Sequence, residues 1–194
     1  MDVSEAISER RSIRKFKEDP VPEDLLQAIL EAATLAPSGK NKQPWKFYVI
    51  QGKKRSEMIQ AMQKGMDRLS EMGINTGSAK FTLRVMETAP ATIFVFNPTS
   101  KHPLLKRDTG EVYSDIVDIQ SIGAAIQNML LKAVDLGLGT LWICDVFFGY
   151  EELCEWLGEK GQMIAAVSVG YPDSSPPARP RKPVEAVTEF IGQP

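Results

Sequence analysis

The sequence predicts an α+β fold, with helices packed around a central mixed, partly antiparallel sheet. Three observations carry this. The chain has 194 residues, 43% of them hydrophobic and 25% charged, the balance of a soluble globular domain able to bury a core. Apolar residues recur at helical spacing in some segments and as short strand-length runs in others. The two kinds intermingle without the regular βα alternation of a doubly wound parallel sheet. No internal repeat or second domain is visible, so 1–194 reads as one domain.

The elements follow in order. Residues 3–11 read as a helix with Val3, Ile7 and Arg10 on one stripe. Ser12 and Arg14 follow at i, i+2 spacing, so an extended chain points Arg10, Ser12 and Arg14 the same way. "PVPEDLLQAILEAATLAP" is a helix: Pro22 suits the first turn, Glu23 and Asp24 suit the positive end of the dipole, and Pro37 ends it. Its expected buried face is Leu25, Leu26, Ile29, Ala32, Ala33 and Ala36. After the polar loop "PSGKNKQP" comes a strand, "WKFYVIQ". Residues 53–73 form an amphipathic helix whose stripe of Met58, Met62, Met66 and Leu69 fills core. A short helix at 79–88 precedes the buried strand "ATIFVFN".

Residues 98–114 are expected to be loop-like, an excursion or lid. The longest helix is expected at 115–136, with Ile119, Ile122, Ile126, Met129 or Leu130, and Ala133 inward. Small Gly123, Ala124 and Ala125 would let another helix approach. "GLG" at 137–139 closes it. "TLWICDVF" reads as a strand, "YEELCEWLG" as a short helix and "MIAAVSVGY" as the last strand. Residues 172–194, proline-rich and then apolar, read as an extended C-terminal arm that docks elsewhere.

Several chemistries have no support. The single histidine, His102, has no metal-ligand neighbours and no nucleophile elbow accompanies it; it reads as an exposed loop residue. There is no P-loop, and "GLGLGT" follows a helix where a dinucleotide fingerprint would precede one. Cys144 reads as a small hydrophobe in a strand. No apolar run approaches a membrane span, the N-terminus lacks a signal-peptide pattern, and two cysteines fit a reducing compartment, so a cytoplasmic protein without membrane attachment is expected. With 23 Lys and Arg against 25 Asp and Glu, a nucleic-acid surface is not. An enzyme built from these residues needs a cofactor for its hard chemistry.

The charge that stands out is local. "RRSIRKF" (10–16) with Lys17 carries five cations in eight residues, and "ARPRKP" carries Arg179, Arg181 and Lys182 on a stiff, extended segment. Either could be a solvated basic stretch. Together they could form a phosphate site, because the guanidinium fork donates parallel, charge-assisted hydrogen bonds.

"RRSIRKF", "APSGKNKQPWKFYVI", the helix running into "LGLGTLWI", and "RPRKP" before an apolar tail, in that order and spacing, resemble the FMN-dependent nitroreductase family over nearly the whole chain. The resemblance implies helices around a central mixed, mostly antiparallel sheet, in an intertwined homodimer with two FMN sites at its interface. It places Arg10, Ser12, Arg179 and Arg181 on the phosphate with Arg11 beside them, and Arg14 at the N1/O2 edge of the flavin. Pro37, Ser38 and Gly39 would come from the partner, with Asn41 and Gln43 as amide donors nearby. The backbone of Leu141, Trp142, Ile143, Cys144 and Asp145 would run along the ring. It implies NADH or NADPH as reductant and a small-molecule acceptor such as a nitroaromatic or quinone, in a ping-pong cycle. A specialised reductive relative, dehalogenase-like, and a non-catalytic binder of FMN or another phosphorylated ligand remain the alternatives. Two features depart from the family: Cys144-Asp145 stands where many members have a glycine, and segment 74–88 offers Thr82 and Arg84 in place of an asparagine ligand.

Overall fold

The computed structural model describes residues 1–192; the last two positions of the expected arm lie outside them. A four-stranded sheet forms the middle layer, in the order β1 (Lys46–Gln51), β2 (Ala91–Asn97), β4 (Gln162–Gly170), β3 (Gly139–Ile143). All three ladders are antiparallel. Parallel pairing enters only at the rim, as an isolated bridge between Ser12 and Thr140.

The period-2 pattern of β2 explains the layers. Ala91, Ile93 and Val95 point to one face and Phe94 and Phe96 to the other, and all five are fully buried. The first face is covered by α2 (Glu23–Thr34) and α5 (Thr109–Asp135), through Leu26, Ile29, Ala33, Ile122, Ile126 and Met129. The second is covered by α3 (Lys54–Glu71), α4 (Gly77–Thr88) and α6 (Tyr150–Leu157). The methionines of the α3 stripe do fill core, Met58, Met62 and Met66 being buried there with Met86 from α4, while Leu69 at the stripe's end is only half-buried. The short α1 (Val3–Glu9) buries only Ala6, leaving Val3 and Ile7 exposed.

Several expectations need correction. α5 begins at Thr109, six residues before the expected start. Asp108 caps it in a reciprocal box: its carboxylate accepts from the Glu111 N–H at 2.8 Å, and Glu111 Oε2 accepts from the Asp108 N–H at 2.9 Å. The excursion is therefore 98–108. β3 stops at Ile143, and Asp145–Gly149 is a 3-10 turn, not strand. Ile119, expected inward, is exposed, and Leu25 and Ala32 of α2 are only partly buried.

The end of α5 sets where β3 begins. Gly137 is left-handed (φ 74°), its N–H donates to the Val134 carbonyl, and the Leu138 N–H donates to the Ala133 carbonyl at 2.8 Å. This pair of bonds stops the helix and turns the chain into the sheet.

Candidate functional site

Two chain crossings bring the basic segments together. The N-terminal segment runs along β3: the Ile13 N–H donates to the Thr140 carbonyl at 2.9 Å, beside the Ser12–Thr140 bridge. Gly139 permits this approach, because a Cβ there would stand 2.7 Å from Ile13 Cγ1. Ile13 faces the core, which turns its neighbours Ser12 and Arg14 to the other side of the segment. Two residues on, the same strand-like stretch pairs with the start of the tail. The Lys17 N–H donates to the Tyr171 carbonyl and the Asp173 N–H to the Lys15 carbonyl, both at 2.9 Å. The proline-rich run after Asp173 is thereby launched back along residues 7–14.

The outcome is a cavity of about 800 Å³ between the two segments. It is lined by Ile7, Ser8 and Ser12 and by five arginines (Arg10, Arg11, Arg14, Arg179 and Arg181), with no carboxylate. Arg11 is braced by the carbonyls of Ser8 and Arg10, and Arg14 by that of Ser12 at 3.2 Å. None of the five belongs to an ion pair among the described residues. Five unneutralised guanidinium groups around one hollow, in a chain of net charge −2, form a ready-made anion site. A second cavity, about 370 Å³, shares Ile7, Arg10, Ser12 and Arg181 with it; its other walls are Gln127, Leu130, Thr140 and Trp142. A separate hollow between α3 and α4 carries both signs, Lys64 and Arg68 against Asp67 and Glu87, and lacks such a field.

The loop after α2 does not join these walls within one chain. Lys40, Asn41 and Gln43 adopt left-handed backbone, with φ between 51° and 55°. The loop is fastened to α5: the Gly39 N–H donates to Ser121 Oγ at 3.2 Å, and Lys42 Nζ to the buried Asp118 at 2.5 Å, which Asn97 also serves at 3.1 Å. Ser38 Oγ accepts from the Gln43 N–H, and Gln43 Nε2 lies 3.4 Å from Asn41 Oδ1. Pro37, Asn41 and Gln43 are exposed.

At the end of β3, Trp142 and Cys144 are exposed while Leu141 and Ile143 are buried. Cys144 is thus no strand-core hydrophobe. Partial burial and the neighbouring Asp145 charge push its thiol above the ordinary value, so it is not a ready thiolate. Asp145 is not loose either: its Oδ2 accepts from Thr82 Oγ1 of α4 at 2.7 Å. The two departures noted in the sequence are therefore one contact, and Thr82 spends its donor on Asp145. His102 is half-buried, edge-on to Tyr150 with centroids 4.5 Å apart and Nε2 2.9 Å from Glu151. It lies in the 98–108 loop, not in the arginine cavity. Thr140 and Gln127 went unmarked in the sequence, where a neutral polar residue in an apolar strand or helix stands out by no charge or spacing.

The sequence profile of the Nitroreductase family matches residues 7–171. The chain belongs to the nitroreductase family. A protein of Methanothermobacter thermautotrophicus, provisionally named NADH dehydrogenase/NAD(P)H nitroreductase, is 31% identical over 184 residues, covering 92% of this chain and 82% of that one. The crystal structure of a nitroreductase with bound FMN from Desulfitobacterium hafniense shares 25% identity at a TM-score of 0.75, covering 99% of this chain and 100% of the other. A BluB-like flavoprotein from Clostridium difficile shares 27% at a TM-score of 0.80, with 99% and 100% covered. The nitroreductase fold thus places its two basic segments on one cavity in this chain. Among the described residues no helix is long and apolar enough to cross a membrane.

Proposed function

We propose that this nitroreductase-family chain is an FMN-dependent oxidoreductase that takes reducing equivalents from NADH or NADPH and passes them to a nitroaromatic, quinone or related acceptor in a ping-pong cycle. The observation that carries the reading is the acid-free cavity with its five arginines and Ser12. A phosphate monoester bears about −1.5 to −2 charge at neutral pH, and two or three guanidinium forks with one hydroxyl match it. The smaller cavity shares Arg10, Ser12 and Arg181 with that anion site and has Trp142 in its wall, so an aromatic surface adjoins the charged hollow. The residues present therefore fit a phosphorylated flavin. An FMN-binding structure of similar fold adds support.

When bound, FMN supplies hydride chemistry that none of these side chains can perform. The chain's own contribution is binding, orientation and charge. Arg10, Arg179 and Arg181 hold the phosphate. Arg14 supplies a fixed cation against the negative charge that accumulates on reduction, and such preorganised charge favours the reduced form. Asp145 acts in the opposite sense, tempered by the Thr82 hydroxyl that occupies one of its oxygens. Pro37, Ser38, Gly39, Asn41 and Gln43 would act on the site of a second subunit.

An absorption spectrum tests this. Purified protein, or flavin-free protein incubated with FMN and desalted, should show the visible bands of bound flavin, and anaerobic NADH or NADPH should bleach them. A protein that stays colourless after FMN overturns the reading. Flavin that neither nucleotide bleaches makes the chain a binder and not an enzyme. Turnover rates with nitro, quinone and halogenated acceptors then assign the acceptor class.

A further inference from the structure

Asp118 of α5 is a carboxylate that the proposed chemistry does not use, and it is 3% exposed. A buried charge is costly unless it is paired, and an apolar residue would pack α5 on the sheet without that cost. The pairing here is specific. Lys42 Nζ lies 2.5 Å from Asp118 Oδ2, and Asn97 Nδ2 donates to the same oxygen at 3.1 Å. Asn97, at the end of β2, is fully buried; its Oδ1 accepts from the Thr99 N–H at 3.1 Å and from the Thr99 hydroxyl at 2.9 Å. With its oxygen so engaged, the Asn97 amide turns its N–H groups toward Asp118. The acid is thus fixed from inside the fold, while Lys42 reaches it from the surface.

Lys42 belongs to a loop that has little else to hold its shape. No residue of 37–43 is buried. Lys40, Asn41 and Gln43 are non-glycine residues in left-handed backbone, a conformation that persists only where the surroundings enforce it. Among the described residues the loop's two long-range hydrogen bonds both end on α5, one from Lys42 to Asp118 and one from the Gly39 N–H to Ser121 Oγ at 3.2 Å. Positions 118 and 121 are three apart and lie on one helix face. Gly39 admits the contact, because a Cβ there would stand 2.3 Å from Val117 Cγ1.

A buried charge and a strained backbone, both maintained for an exposed polar loop, are what a preorganised recognition element requires. We propose that Asp118 is a positioning residue: its carboxylate, oriented by Asn97, clamps Lys42 and so holds Asn41 and Gln43 in the shape that addresses the flavin of a second subunit. What the loop addresses rests on the FMN reading; the clamp itself does not.

Four variants of the full chain test the clamp: Asp118→Asn, Lys42→Met, the two combined, and Lys42→Arg. Each is read by melting temperature, by FMN titration with fluorescence quenching, and by limited trypsin digestion of the flavin-free protein at Lys40, a site all of them keep. Asp118→Asn and Lys42→Met should each weaken FMN about tenfold, the scale of one charge-assisted hydrogen bond, and should speed cleavage at Lys40. The double variant should be no weaker in FMN binding than either single one, because both remove the same contact. Lys42→Arg, which keeps a cation, should stay within about twofold of the parent. Stability should part from positioning. Lys42→Met strands a buried carboxylate and should melt lowest, and adding Asp118→Asn removes that charge and should restore the melting temperature without restoring FMN affinity. FMN affinity that recovers together with the melting temperature in the double variant overturns the positioning role and leaves a purely structural ion pair. Unchanged cleavage at Lys40 in Asp118→Asn and in the double variant overturns the clamp, whether or not FMN binds. If the parent protein fails to bind FMN while the variants are cut faster at Lys40, the clamp stands and the flavin reading falls.

Discussion

Glu159 gathers four donors on one carboxylate. Lys46 Nζ at 2.8 Å and the Tyr48 hydroxyl at 2.6 Å reach Oε2, and the N–H groups of Lys160 and Gly161, both at 2.8 Å, reach Oε1. Partial burial pushes its pKa up, but the hydrogen bonds from Lys46, Tyr48 and Gly161 outweigh it and bring the group down from 4.5 to about 2. A folded pKa below the unfolded one contributes stability that is complete above about pH 4.5 and is lost as pH falls through about 2, worth of the order of 3 kcal/mol. Glu159→Gln should therefore lower the melting temperature at neutral pH by roughly 5–10 °C and flatten the acid side of the stability profile. Superimposable profiles for the two proteins, followed by circular dichroism from pH 7 to 2, would defeat this. The same residue scale shows what was legible beforehand. Arg10, Ser12 and Arg14 announced a shared direction through their spacing, and the tail arginines did so through proline-enforced extension. Thr140, Gln127 and the Thr82–Asp145 contact did not, because a hydroxyl carries no net charge and its partner lies 63 residues away in the last case.

At the scale of elements, the apolar periodicities located the α-helices and strands of the described residues with errors at their boundaries, but not the short 3-10 turns at Gly39–Asn41, Asp145–Gly149 and Val184–Ala186. "LWICDVF" is interrupted past Ile143 only by Asp145, so the apolar pattern alone does not mark that Asp145–Gly149 winds into a 3-10 turn. The first six residues of α5 were hidden by their polarity and by Gly110, although Asp108-x-x-Glu111 is a capping-box pattern. The preceding loop is organised from inside by one residue. Arg107 donates through Nη2 to the Lys101 carbonyl at 2.6 Å and through Nη1 to those of His102, Pro103 and Leu105 at 2.8 to 3.1 Å, and its Nε pairs with Asp115. A planar fork can serve this many acceptors at once, and an ammonium on a flexible stem cannot. Arg107→Ala, and Arg107→Lys nearly as much, should make the 98–108 loop several-fold more sensitive to limited trypsin digestion at Lys101 and Lys106, because the loop would lose the side chain that ties four of its carbonyls together. Unchanged cleavage at those two sites would show that the loop holds its shape without the guanidinium.

Among the described residues, two apolar surfaces of the whole molecule stay open. One is the first half of α5, with Tyr113, Ile116, Val117 and Ile119 exposed; the other is the tail, where Phe190 and Ile191 are 90% and 94% exposed. Ile119 fits the inward periodicity of α5 and yet faces outward, which is what a residue reserved for another surface does. A soluble monomer seldom leaves contiguous patches of this kind, whereas an intertwined homodimer buries both at once. The tail reaches its apolar residues only after Arg179 and Arg181 line the cavity, so under the proposed function phosphate binding and clasping of a partner would be consecutive on one stretch of chain. Deleting residues 183–194 separates the two, since all five arginines remain. The intact protein should sediment at twice the chain mass, and the truncated one should dissociate at lower concentration. FMN should then bind about tenfold more weakly despite the complete arginine set, because the 37–43 loop would no longer be held over the site of the other subunit and binding would draw on only the dimeric fraction. Ile116→Asp should weaken the dimer from the other surface without touching the tail. An intact chain that sediments as a monomer yet binds FMN fully would place the whole site within one subunit and leave both apolar surfaces unexplained.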